Sequence, residues 1–188
     1  YRTELLVGQQ GSHKLAQMMY LITGGERSGK SGFAEKIAKE KSDQPMYVAT
    51  ARQWDADFKN RIDRHQKDRD ERWENIEKEK FLSEINFENR VAVIDCVTLW
   101  LTNFFVDNNN DIDLCLAQAK KEIDTLSQQP NTTIIIVSNE IGMGLHADTH
   151  IGRKFTELQG WTNQYIAQKA DTVVFMVAGI PMVIKGEV

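Results

Sequence analysis

The run Gly24-Gly25-Glu26-Arg27-Ser28-Gly29-Lys30-Ser31 fits GxxxxGK[ST], a glycine-bounded loop followed by a lysine and a small hydroxyl. Glycines there let backbone N–H groups turn inward around phosphate oxygens, and a helix beginning at the lysine points its positive end at them. Lys30 has the length to reach the outer phosphates of a nucleoside triphosphate, which makes it a catalytic candidate. Ser31 offers a hydroxyl to Mg²⁺. Context matters for so short a motif. The apolar run Tyr20-Leu21-Ile22-Thr23 before it reads as a strand, and Phe33-Ala34-Glu35-Lys36-Ile37-Ala38 after it has helical spacing. Strand, glycine loop and helix are what a phosphate cradle requires. Arg27 either adds an anion donor or is simply solvated.

Asp95 closes a second apolar run, Val91-Ala92-Val93-Ile94. Open α/β sheets bind ligands beyond the carboxyl ends of their strands, so a carboxylate there suits the organisation of Mg²⁺. Asp also favours the N-cap of a helix, which the segment after Cys96 would accept. Ser31 and Asp95 are therefore the metal candidates. Arg61, His65 and Arg69 recur every fourth residue and share one helix face. Two neighbouring cations disfavour the imidazolium, and neutral imidazole has the lone pair needed to attack phosphorus while arginines hold phosphates. A solvated charged face explains the same residues. Glu77 either pairs with an arginine or a ribose, or belongs to the surface run 77–80. Val137-Ser138-Asn139-Glu140-Ile141-Gly142-Met143-Gly144 delivers Asn139 and Glu140 to the P-loop edge ahead of a turn whose small residues permit close approach. Alternatively it is an Asn-capped loop. Arg153 and Asn163 follow on the next helix with reach toward that edge. His146 and His150 are four apart but lack a third ligand nearby, which argues against a zinc site.

These residues need a scaffold. Near-continuous apolar strands are expected at 20–23, 46–50, 91–95, 133–138 and 172–177, with a short one at 182–184 closing the edge after Gly179-Ile180-Pro181. Helices are expected after the P-loop, from Trp54 through Phe58, Ile62 and Arg69 to about Arg72, through Leu99, Leu101 and Phe105, over 114–126 up to Pro130, and over 155–170, with a turn at 107–111. Alternation of this kind predicts an α/β fold, a mostly parallel sheet covered by helices on both faces. The 188 residues suit a single P-loop domain over 19–188, with 1–18 an extension or cloning remnant to which no function is assigned. A net charge of −4 excludes binding to nucleic acid through bulk positive charge. Cys96 and Cys115 read as free thiols. No apolar run approaches the roughly 20 residues that span a bilayer, and no secretory signal precedes the domain, so the cytoplasm is expected.

Taken in order, 23–31, Tyr47-Val48-Ala49-Thr50-Ala51, Arg61-Ile62 with His65, Arg69, Trp73 and Glu77, Asp95-Cys96-Val97-Thr98, and 138–144 form a more specific pattern. Residues 19–188 resemble the bifunctional adenosylcobinamide kinase / adenosylcobinamide-phosphate guanylyltransferases of cobalamin biosynthesis. That resemblance implies a RecA-like domain with Mg²⁺ as cofactor and ATP and GTP as substrates. It also implies a corrinoid acceptor that is first phosphorylated and then receives GMP through a guanylylated histidine. By position His65 is the nucleophile; Gly24 to Ser31 hold phosphates; Ala49, Thr50, Ala51, Gln66, Lys67, Asp68, Arg69, Glu77 and Asp95 line the nucleotide. A homotrimer with sites near subunit junctions is implied too, for which Trp100, Phe104 and Phe105 are expected to give an aromatic surface. Two positions depart from some relatives: Asp95 replaces a glutamate, and Arg64 replaces a second histidine, leaving His65 the sole imidazole there. A P-loop small-molecule kinase without the guanylyl step is the competing reading, and it would not depend on His65. A nucleotide switch fits less well, because no guanine-reading Asn-Lys-x-Asp is present.

Overall fold

Side-chain alternation along the central strands splits the core in two. A computed structural model describes residues 17–52 and 70–188. It contains β1 (Met18–Gly24), α1 (Lys30–Lys41), β2 (Met46–Ala49), β3 (Glu74–Glu77) and β4 (Val91–Asp95). These are followed by α2 (Val97–Asp107), α3 (Ile112–Ser127), β5 (Thr133–Asn139), α4 (His150–Lys169), β6 (Thr172–Val177) and β7 (Ile180–Lys185). Leu21, Ile94, Ile134 and Ile136 face one side of the sheet, against α2, α3 and α4. Tyr20, Ile22, Val93, Ile135 and Val137 face the other, where Ala34, Ile37 and Ala38 of α1 cover them. Period-two strands buried on both faces are what covering helices demand.

The strand order is β3-β2-β4-β5-β1-β6-β7. All neighbours pair in parallel except β6 with β7. The α/β, mostly parallel architecture is as the sequence implied. The final strand is longer than the expected 182–184 and starts at Ile180, after a turn in which Ala178 and Gly179 take positive φ values of 50° and 82°. The loop at 107–111 is also present; Asn109 and Asn110 adopt left-handed φ of 51° and 63° there, a conformation Asn tolerates better than most residues.

Three expectations are corrected. Glu74-Asn75-Ile76-Glu77 forms an unforeseen edge strand; its side chains stay mostly in solvent, and only its backbone needs the pairing with β2. Residues 70–72, expected to end a helix begun at Trp54, are not helical: 70–73 turn and then lead into β3, and the rest of that expected helix lies outside the described residues. Trp100, Phe104 and Phe105 do not form a surface: they are 2%, 1% and 4% exposed within the single chain. Trp100 and Phe104 meet edge to face at 5.4 Å, and the Trp100 indole donates to the Lys80 carbonyl at 2.7 Å. Helix α2 is apolar nearly all round and is therefore core. Among the described residues no helix is long and apolar enough to cross a membrane.

Candidate active site

The carboxyl ends of the strands bring most of the sequence-singled residues to one edge. Cross-strand register aligns Glu77 with Ala49, Ala49 with Asp95, and Asp95 with Val137. Gly24 sits opposite both Asn139 and Met176. Between β1 and α1 the glycine loop folds back over this edge. Gly24 takes φ 153°, and a Cβ on it would lie 2.5 Å from the Met176 carbonyl oxygen and 2.8 Å from Ser28 Oγ. Gly29 takes φ 93°, a left-handed turn into α1 that other residues resist. Glu26 and Arg27 project into solvent with side chains 81% and 85% exposed, and only a loose 3.9 Å ion pair joins them. Arg27 is thereby free of any buried structural duty.

Lys30, by contrast, is buried, only 7% exposed, as is Ser28 at 8%. Its ammonium donates to the Gly25 carbonyl at 2.5 Å and lies 3.5 Å from Ser28 Oγ. Burial pulls its pKa below the ordinary lysine value, opposed by the negative charges of Glu26 and, more weakly, Asp95. A cation held inside a loop of backbone amides is poised for an anion that would replace its present carbonyl partner. Ser31 follows on the first turn of α1, half-buried.

Asp95 lies at the end of β4, with Oδ2 accepting from the Tyr47 hydroxyl at 2.7 Å. It does not cap α2: the N-cap is Cys96, without a side-chain bond. Burial, reinforced by Asp95, pushes the Cys96 thiol up to about 12, so it stays protonated. Tyr47 as the brace for Asp95 had no signal in the sequence beyond its place in a strand.

Thr50 differs from its expected part. Its side chain is fully buried and grips Cys96, with Oγ1 donating to the carbonyl at 2.8 Å and accepting from the amide at 2.9 Å. The backbone is engaged as well: Thr50 N donates to Asp95 O, and Asn103 Nδ2 donates to Thr50 O at 2.8 Å. Its hydroxyl therefore locks β2 to the chain just beyond Asp95, while Ala49 and Ala51, half-buried, flank it. Thr50→Val is expected to strand two buried peptide groups at a cost of about 1–3 kcal/mol in denaturant unfolding, and Thr50→Ser to recover nearly all of it. Equal stability of the two variants would contradict this brace.

A second buried polar network lies beneath β5. Gln159 Nε2 donates to Thr98 Oγ1 at 2.7 Å, to Ser138 Oγ at 3.1 Å and to the Asn139 carbonyl at 2.9 Å. Asn163 accepts from Ser138 at 2.6 Å and donates to the Asn139 carbonyl at 3.1 Å, so it faces inward rather than toward ligand. Asn139 donates to Thr98 Oγ1. Glu140 N donates to the Gly24 carbonyl at 2.9 Å, which ties the following loop to the P-loop. Arg153 donates to the carbonyls of Ala147 and Asp148, bracing that loop. Beyond Ala51, Arg52 pairs with Asp107 at 2.9 Å and Glu79 at 2.7 Å, and with Lys80 it holds the Asp107 carboxyl well below the usual range.

Glu77 stands on β3 at the same edge, exposed. Arg61, Arg64, His65, Gln66, Lys67, Asp68 and Arg69 lie outside the described residues, as do Trp54, Phe58 and Ile62.

The fold and the sequence both have known counterparts. An ATPase of a type III secretion system of pathogenic bacteria superposes with a TM-score of 0.56 at 9% identity, covering 89% of this chain and 57% of the other. This likeness shows a RecA-like P-loop fold and nothing finer. The "Bifunctional adenosylcobalamin biosynthesis protein CobP" of Pseudomonas aeruginosa is 37% identical over 175 residues, 90% of this chain and 99% of the relative. The "Bifunctional adenosylcobalamin biosynthesis protein CobU" of Escherichia coli is 35% identical over 182 residues, 89% of this chain and all of the relative. Residues 20–184 match the family model for cobinamide kinase / cobinamide phosphate guanyltransferase, a span that begins in the strand feeding the phosphate loop and ends in the last strand of the sheet. On that match, and on relatives matched over nearly their whole length, the chain belongs to the cobinamide kinase / cobinamide phosphate guanyltransferase family.

Proposed function

We propose that the chain phosphorylates the free hydroxyl of adenosylcobinamide with a nucleoside triphosphate, then moves GMP from GTP onto the resulting phosphate by way of His65. The observation that carries this reading is the buried Lys30 ammonium inside the 24–31 amide loop, in a chain that matches this family over 20–184. Gly24 to Ser31 bind the phosphates; Ala49, Ala51, Gln66 to Arg69 and Glu77 line the nucleotide, and Thr50 holds that wall in place. Ser31 and Asp95 offer hydroxyl and carboxylate oxygens, the hard donors Mg²⁺ prefers, and would hold that ion, which would supply positive charge beside the phosphates.

The guanylyl step balances as two displacements. The neutral imidazole of His65 attacks the α-phosphorus of GTP, forming an N–P bond as pyrophosphate leaves. A phosphate oxygen of cobinamide phosphate then attacks the same phosphorus; the N–P bond breaks, imidazole is restored, and adenosylcobinamide-GDP forms. One difficult displacement becomes two easier ones. Lys30 and the loop amides stabilise the charge that develops on the leaving phosphates. The same reading takes 19–188 as one nucleotide-binding domain and the enzyme as a cytoplasmic homotrimer, both supported by the resemblance.

Incubating the full chain with adenosylcobinamide, GTP and Mg²⁺ and weighing the corrinoid product by mass spectrometry tests the reading. The mass of adenosylcobinamide-GDP is expected. A product that stops at the phosphate ester would favour the plain kinase, and unaltered corrinoid would overturn both.

A further inference from the structure

Large apolar side chains left in solvent beside a phosphate-binding loop call for an occupant. Met143 is 75% exposed and Leu145 is 99% exposed, both on the segment 140–149 that joins β5 to α4. This segment is fastened, not loose. Glu140 N holds the Gly24 carbonyl at one end, and the Glu140 carboxylate accepts from Gly142 N at 3.0 Å. At the other end Arg153 clasps the carbonyls of Ala147 and Asp148 at 2.9 and 3.0 Å, and Thr149 Oγ1 caps Gly152 N. Ile151, 54% exposed on the first turn of α4, extends the apolar surface.

Strand order decides where this surface stands. β5 lies between β4 and β1, so its exit loop rises between Asp95 and the P-loop. The exposed apolar residues of β7 start beside the opposite flank of the P-loop, where Gly179 N donates to the Ser28 carbonyl at 3.0 Å, and run along the sheet edge away from Asp95. An acceptor whose hydroxyl must meet a phosphate at the P-loop, and which is far too large to enter it, has to rest its bulk on the adjoining surface. A corrin macrocycle offers a broad apolar face, and the 140–149 segment offers the apolar counterpart next to the cage.

We propose that Met143 and Leu145 form the platform on which the corrin ring rests, making them specificity-determining residues for the corrinoid. The inference depends on the corrinoid reading above. Both side chains are mostly exposed, 75% and 99%, so truncation is expected to leave folding intact. Met143→Ser and Leu145→Ser are each expected to raise the KM for adenosylcobinamide about tenfold, with the double variant worse than either. Self-labelling by GTP, which needs no corrinoid, and the thermal midpoint are expected to stay at wild-type values, and Leu145→Met to restore the corrinoid KM. Variants whose corrinoid KM stays within about twofold of wild type would overturn the platform while leaving the two-step activity standing. A changed sedimentation coefficient in the double variant would give the surface to a second copy of the chain, and would also overturn it. Wild-type protein that turns over no corrinoid would remove the underlying activity instead, and the platform with it.

Discussion

Lys30→Met is expected to slow phosphoryl transfer and guanylyl transfer together, each by about 10²–10³-fold in kcat, with the fold preserved. In the proposed mechanism both steps draw on phosphates held in the same loop, and Lys30 is the one cation buried within it. Its ammonium now spends its hydrogen bonds on the Gly25 carbonyl and the vicinity of Ser28 Oγ, contacts a triphosphate would take over. Methionine fills the same unbranched stem without the charge, and the exposed Gly25 can turn its carbonyl to water. Burial already works against the charge on Lys30, so its removal carries no large stability penalty. Single-turnover assays of each half-reaction, run beside thermal unfolding, separate the outcomes. Retention of either activity at wild-type rate would show that the two steps do not share this loop.

His65→Ala is expected to divide the reactions that Lys30→Met lowers together. Without the imidazole nucleophile, transfer of GMP to cobinamide phosphate should fall by more than about 10³-fold, since no other group in the mechanism makes the covalent link. Phosphorylation of adenosylcobinamide should continue, because the hydroxyl attacks phosphorus directly and uses only the P-loop machinery. The check is a pair of assays on one preparation: corrinoid phosphate formed from a nucleoside triphosphate, and corrinoid-GDP formed from supplied corrinoid phosphate and GTP. Loss of both would mean the segment around 65 also shapes the kinase site. Persistence of both would move the nucleophile elsewhere in the chain.

Much of the scaffold was legible because the physics is local. The glycine loop announces itself through residues whose backbone angles and charge have few other uses, and the isoleucine and valine runs at 91–95 and 133–139 can only be buried strands. Glu74-Asn75-Ile76-Glu77 was not legible. A polar edge strand is held by backbone pairing to β2, which leaves no mark on its side chains. The aromatic residues of α2 were assigned to a surface although the helix carries hardly any polar face to turn outward, and the structure buries them. Thr50, Gln159 and Asn163 illustrate the hardest class. Polar residues on strand ends and helices default to solvent or ligand in a sequence reading, and only the folded arrangement reveals that the Thr50 hydroxyl, the Gln159 amide nitrogen and the Asn163 amide bond to Cys96, Thr98, Ser138 and Asn139. These residues hold the edge on which Asp95 and the P-loop stand, so their contribution is indirect.

The most direct test of the account is chemical. Wild-type protein is incubated with Mg²⁺ and GTP labelled at the α-phosphorus, denatured, digested, and the labelled fragment sequenced. The account predicts a label that survives base and is lost in acid, as a phosphorus–nitrogen bond to histidine requires, on the fragment that contains His65. No covalent label, or a label confined to fragments lacking His65, would contradict it.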